Sequence, residues 1–289
     1  MTKKKITYQV KESDVGANYI MAFRPEDYDI FEYRINKPIA VKDPKDNSDF
    51  DMHFIVQETD EIKLNSKHSL EYFIPNNIAL LLSISDKALK RALAIYKENL
   101  NPDKPKNNIS IVDKKERVNF LKDKSKYYCD YIEEVETAIV FSYTAIEAFA
   151  NISIPHNYLY HSKDKAGVIY EKKAIERWTP LVEKVSTILP DTYNTKSIKN
   201  KSIFNNFKKL EQYRNAIIHQ KSVERADFFK LYFKNNINDI CKSSELVIRF
   251  FYDAHKETNR INPLWPWLIG NEKDFPIVYD DLSKVRKKE

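Results

Sequence analysis

Three side chains in the run YRNAIIHQ, Tyr213 to Gln220, could do chemistry together. Arg214 carries a guanidinium that keeps its proton and whose planar fork of donors matches phosphate oxygens. Asn215 follows it with an amide that can both donate and accept. His219, five residues after the arginine, is suited to proton transfer, because an unperturbed imidazole titrates near about 6.5. The run closes a segment, SIFNNFKKLEQYRNAIIHQ, that reads as an amphipathic helix from about Ser202 to His219. At roughly 100° per residue, Ile203, Phe207, Leu210 and Ile217 form one apolar stripe with Arg214 at its centre. Burying a guanidinium there without a partner is costly, so Arg214 must meet an acid, an interface or a ligand such as phosphate.

On an ideal helix His219 lies roughly 140° around the axis from Arg214. Asn215 faces nearly the same way as His219, and Glu211 lies one turn further back. Arg214 and His219 can therefore serve one site only if the helix ends near His219, or if the site is shared between two chains. The expected acid is upstream. The run TAIVFSYTAIEAFAN, Thr137 to Asn151, is apolar nearly all round, as in a buried central helix, and Glu147 is its only charge. A lone carboxylate on such a helix also needs a partner, so Glu147 and Arg214 are expected to be neighbours. A buried ion pair with no chemistry is the alternative reading of the two.

The elements that would position these residues follow a break in pattern. The first seventy-odd residues alternate at period two, in KITYQVK, NYIMAF, IFEYRI and MHFIVQ, separated by turn-rich pieces. They read as a small, antiparallel set of strands. From Asn76 the period becomes helical, with Leu89, Ala92, Leu93 and Tyr96 on one face of DKALKRALAIYKENL. NPDKPKNN then breaks the chain. Beyond it four helices are predicted, over about Lys122–Asn151, Ala174–Leu189 (stopping before Pro190), Ser202–His219 and Ala226–Lys256. The fold class is α+β, divided as 1–110 (strand-rich, ending in a helix), 111–260 (helical) and 261–289 (a tail with prolines and tryptophans).

Placed at the end of the third of these helices, RNAIIH resembles the R-N-x-x-x-H motif of the HEPN superfamily (higher eukaryotes and prokaryotes nucleotide-binding). SYTAIEAFAN is also similar to the first core helix of many HEPN proteins, with its acid and small-residue face. The resemblance spans about residues 120–258 and implies a four-helix bundle. It implies an endoribonuclease that works without metal or cofactor, in anti-phage defence or as a toxin. In such enzymes the ribose 2′-OH attacks the adjacent phosphorus and leaves a 2′,3′-cyclic phosphate. A two-fold dimer would bring two histidines and two arginines into one cleft. The roles expected are His219 for proton transfer, Arg214 for phosphate charge and Asn215 for orientation, with Glu147, Glu211 and Asn151 in support. The partners expected are RNA (tRNA, rRNA or mRNA), a second copy of the chain, and an antitoxin or defence-system protein. Some HEPN toxins carry a tyrosine two residues after the histidine that a partner enzyme modifies; Lys221 stands there in this chain. A non-catalytic HEPN module that dimerises or binds nucleotide or RNA is the rival reading. A third makes the N-terminal strands a sensor for the helical effector.

Composition narrows the field further. The 3 glycines in 289 residues, with no G-x-G-x-x-G or P-loop pattern, argue against a glycine-rich phosphate cradle. A net charge of +6 is compatible with a polyanionic partner, and also with solvated lysine-rich ends. Cys129 and Cys241 form no C-x-x-C pattern and fit a reducing compartment. No apolar run follows the basic N-terminus, and Ile78–Ser85 and Thr137–Ala150 are too short to span a bilayer. The expectation is a cytoplasmic protein without membrane contact. His156 and His161, around NYLY, lack a nearby acid or cysteine and are read as surface residues rather than metal ligands. His53, His68 and His255 have no partner pattern. Trp265 and Trp267 are expected to pack back onto the protein rather than to stack on bases.

Overall fold

The computed structural model describes residues 18–23, 28–42, 53–162, 167–219, 227–234, 236–255, 262–272 and 276–279. The expected strand in KITYQVK lies outside them. The chain is α+β, as its two periodicities require. It forms two compact units, each assembled from separated segments: 1–80, 147–198 and 248–289 in the first, 81–146 and 199–247 in the second. The expected boundary near residue 110 falls inside the second.

The first unit holds the sheet. Strands β1 (Asn18–Phe23), β2 (Ile39–Lys42), β3 (His53–Lys63) and β4 (Ser69–Phe73) precede helix α1 (Asn77–Ile95). The long β3 pairs antiparallel with β1, β2 and β4, with Ile20 opposite Val56 and Ala40 opposite Ile55. Alternation sends Ile55, Gln57 and Thr59 of β3 inward. The expected strand over IFEYRI is absent. That stretch turns, leaving one bridge from Ile35 to Pro75, and Phe31 and Tyr33 are exposed, so no buried face underlies its alternation. The fifth strand comes from the tail: β7 (Ile277–Tyr279) pairs parallel with β2.

The tail also carries the aromatic core of this unit. Trp265 is fully buried, with ring centroids 5.2, 5.3 and 4.9 Å from those of Phe149, Tyr193 and Tyr252. Its indole N–H donates to Ser153 Oγ at 2.8 Å, which satisfies the one polar atom this ring brings inside. Trp267 joins Ala40 and Ile55 beneath the sheet. Asn76 donates to Leu264 O at 3.0 Å and accepts from the Ala79 N–H at 3.0 Å, so one amide holds the tail and starts α1.

The helix predicted over Ala174–Leu189 is broken. A two-strand hairpin, β5 (Tyr160–His161) and β6 (Ile169–Tyr170), leads into α3 (Lys172–Trp178). Pro180 then interrupts the chain before α4 (Leu181–Glu183), a π-turn over Lys184–Ile188 and α5 (Leu189–Tyr193). Pro190 does not stop this run. It sits near the start of α5 within a run that is helical from Leu181 to Tyr193, and the carbonyl of Ser186, four residues before it, accepts instead from the Ser197 hydroxyl at 3.0 Å. Lys184 is buried, and its ammonium donates to Asn151 Oδ1 and Glu176 O at 2.9 Å each. Burial pushes its pKa below that of an ordinary lysine, against the pull of Glu147 and Glu176.

The second unit is helical. Helix α2 (Arg117–Ser153) is longer than predicted, and the part of it in this unit contacts α1, α6 (Ser202–Ile218), α7 (Asp227–Tyr232) and α8 (Ile237–His255). Ser85 Oγ donates to Ala138 O at 2.9 Å, and Arg91 binds both oxygens of Glu134. Ser142 Oγ reaches Ser244 Oγ at 2.9 Å, and Tyr131 donates to Tyr232 O at 2.6 Å. These small and hydroxylated residues let α2 lie close to its neighbours, and Val135, Ala138 and Ile139 are fully buried. The single long helix predicted over Ala226–Lys256 is instead α7 and α8, separated at the lysine- and asparagine-rich stretch after Tyr232.

Candidate functional site

Helix α6 ends within the run YRNAIIHQ. Phe204, Phe207 and Leu210 are buried and fix the helix against its own unit. Its last helical residue is Ile218, and His219 is the C-cap, with φ −117° and ψ 46°. The His219 N–H still bonds to Asn215 O at 2.9 Å, so the backbone leaves the helix at this residue. Among the described residues no hydrogen bond joins the His219 side chain to Arg214 or Asn215. The His219 side chain is exposed, as is that of Asn215, while Arg214 is half-buried.

Arg214 meets an aromatic ring. Its guanidinium carbon lies 5.1 Å from the centroid of Tyr143, on α2, and its Nη1 donates to Asn215 Oδ1 at 3.1 Å. The Tyr143 hydroxyl donates to Glu211 Oε1 at 3.3 Å. Burial raises the pKa of Glu211 above the usual carboxylate value, while the Tyr143 hydrogen bond and the positive charges of Arg214 and Lys208 pull it down more weakly. Four groups are thus joined on α2 and α6: Tyr143, Glu211, Arg214 and Asn215. They form a connected polar cluster in the turns that precede the exposed His219.

Glu147 belongs to the first unit, where its charge acts on Lys184, and Asn151 accepts from the same lysine. The contacts of Arg214 come from Tyr143 and Asn215, with Glu211 acting on it through charge. Tyr143 was missed because a tyrosine in TAIVFSYTAIEAFAN reads as one more apolar residue of a buried helix. Its spacing carried the signal: Tyr143 and Glu147 are four residues apart and share a face, so an aromatic ring was available wherever the acid was.

His156 and His161 are exposed, and among the described residues no group of three or more His, Cys, Asp or Glu could hold a metal. Cys129 is exposed and free; Cys241 is buried, which pushes its thiol up to about 12. No helix among the described residues is long and apolar enough to cross a membrane. No family model, curated protein or solved structure matches the chain.

Proposed function

We propose that the protein is a metal-independent endoribonuclease of the HEPN type, with a composite site formed by two copies of the chain, acting in anti-phage defence or as a toxin. The observation that carries this reading is the end of α6. Arg214 and Asn215 occupy its last turn, and His219 caps it with an exposed imidazole. A cationic fork and a proton-transfer group are what cleavage at phosphorus requires. Of the four helices that the resemblance implies over residues 120–258, the span contains α2, α6 and α8, while the segment over Ala174–Leu189 is broken. The defence or toxin role rests on the family resemblance alone.

In the reaction proposed, the 2′-oxygen of the RNA forms a bond to phosphorus as its proton passes to a neutral imidazole. The bond from phosphorus to the 5′-oxygen breaks, and a protonated imidazole gives that oxygen its proton. The products are a 2′,3′-cyclic phosphate and a 5′-hydroxyl. His219 of one copy would act as base and His219 of the other as acid. Arg214 would neutralise the charge that builds on the phosphorane, and Asn215 would orient Arg214 through the bond they already share. Tyr143 would hold the guanidinium from the other side.

The test is RNA cleavage in EDTA by wild type and by His219→Ala, with product ends identified. Cleavage by wild type alone, leaving cyclic phosphate ends, is the expected result. Equal cleavage by both would remove the chemistry from this motif. Cleavage by neither, across tRNA, rRNA and mRNA, would favour a non-catalytic module that binds RNA or nucleotide.

A further inference from the structure

The first unit contains a second site that the ribonuclease reading does not use. Between the β5–β6 hairpin and the start of the α4 segment lies a cavity of about 530 Å³, within the range of small-ligand sites. Tyr160 and Tyr170 are cross-strand partners in the hairpin, so their side chains leave the same face of it. Both line the cavity, together with Trp178, Thr179, Pro180 and Glu183. The break at Pro180 places these last residues there. It ends α3 just after Trp178 and redirects the chain so that Glu183 comes round to the tyrosines.

The chemistry of this wall is one-sided. Three aromatic rings and one carboxylate line it, and none of the described lining residues is basic. Glu183 Oε1 accepts a hydrogen bond from the Tyr160 hydroxyl, while Oε2 has no partner among the described residues. Glu183 also forms no ion pair among them. The Thr179 hydroxyl is buried and likewise unpartnered. Trp178 is 64% exposed, and its ring already carries a cation: the guanidinium carbon of Arg177, which does not line the cavity, lies 4.7 Å from the centroid. Among the described lining residues an anionic ligand would find no positive side chain. A cation would find ring faces and an uncompensated carboxylate oxygen, the combination by which proteins hold ammonium and guanidinium groups.

We infer that this cavity binds an organic cation, an alkylammonium or guanidinium group, with Trp178 and the two tyrosines around it and Glu183 as its counter-charge. The inference is independent of the ribonuclease reading. A free small molecule and a modified side chain of a peptide share this recognising chemistry.

The test uses the whole chain. Trp265 and Trp267 are buried, so a ligand-dependent change in tryptophan emission reports on Trp178. The probes are choline, its uncharged isostere 3,3-dimethylbutan-1-ol, and a short peptide carrying trimethyl-lysine. Saturable binding of choline or the peptide, at least roughly tenfold tighter than the alcohol, is expected; which of the two binds identifies the source. Glu183→Gln keeps an oxygen to accept from Tyr160 and is expected to weaken binding about tenfold. Trp178→Leu alters an exposed ring and, followed by calorimetry, is expected to weaken it similarly. Equal binding of choline and the alcohol, unchanged affinity in Glu183→Gln with its fold intact by circular dichroism, or no saturable response to either cation would overturn the inference.

Discussion

Arg214 should be energetically coupled to Tyr143, and a double-mutant cycle can measure that coupling. The perturbations are Tyr143→Leu, Arg214→Met and the pair. Tyr143 is buried, and the guanidinium carbon stands 5.1 Å from its ring centroid. Cation–π contacts contribute about 0.5–1 kcal/mol at exposed sites and about 2 kcal/mol when desolvated; a half-buried arginine on a buried ring belongs near 1 kcal/mol. Each single change also carries costs of its own, a shape change in the core for Tyr143→Leu and a lost Asn215 bond for Arg214→Met. The cycle cancels these, because each is present in both arms. Urea denaturation of the four proteins gives the coupling from their midpoints, provided the slopes agree. Tyr143→Phe serves as control: it keeps the ring and removes the hydroxyl that donates to Glu211 at 3.3 Å, so its coupling to Arg214 should survive. Additivity within about 0.3–0.5 kcal/mol would refute the claim that the ring holds the arginine. In the cleavage assay Tyr143→Leu should also lose activity, and Tyr143→Phe should lose less.

Two further outcomes follow from burial. Burial raises the pKa of Glu211 in the fold, so the folded protein binds this proton more tightly than the unfolded chain does. The contribution of Glu211 to stability is therefore fully present below the ordinary glutamate pKa and is lost as pH rises through the raised one. Glu211→Gln should melt higher than wild type near neutral pH, and the difference should close on acidification; thermal melts across that window check it, and a gap that widens in acid would reverse the sign. Trp265→Ala removes a fully buried ring and orphans the hydrogen bond to Ser153, and should cost about 3–5 kcal/mol by denaturant unfolding. A loss under about 1 kcal/mol would mean that the tail is not part of the core.

What could be read from the sequence was local. The strands NYIMAF and MHFIVQ, the central run TAIVFSYTAIEAFAN and the end of α6 each follow from a period or a stop signal in neighbouring residues. IFEYRI carried the same period-two signal and failed, because alternation specifies a strand only where one face is covered, and Phe31 and Tyr33 face solvent. The helix over Ala174–Leu189 failed because periodicity does not register a break at Pro180 or a π-turn. Long-range pairing left no trace at all. Val41 of β2 pairs with Val278 of the tail, and nothing in either stretch announces the other. Lys184 was invisible for a different reason: a lysine reads as a surface residue, and its burial depends on Asn151 and the Glu176 carbonyl being brought to it by the fold.

The same distinction explains how the motif was half-legible. The stripe argument was sound in requiring a partner for Arg214, since a half-buried guanidinium with nothing to meet is unstable wherever it lies. Within its own unit, the partner that Arg214 meets is of another kind. An acid is the obvious complement to a cation in sequence, where only charge can be counted. In the fold a ring does part of the same work without fully neutralising the charge, and Glu211 adds attraction through a carboxyl whose ionisation burial opposes. For a group proposed to act on phosphate this difference has a consequence. An arginine locked in a buried ion pair with Glu147 would have its donors occupied and its charge cancelled. On Tyr143, with one donor committed to Asn215, it keeps its charge and the remaining donors for phosphate oxygens.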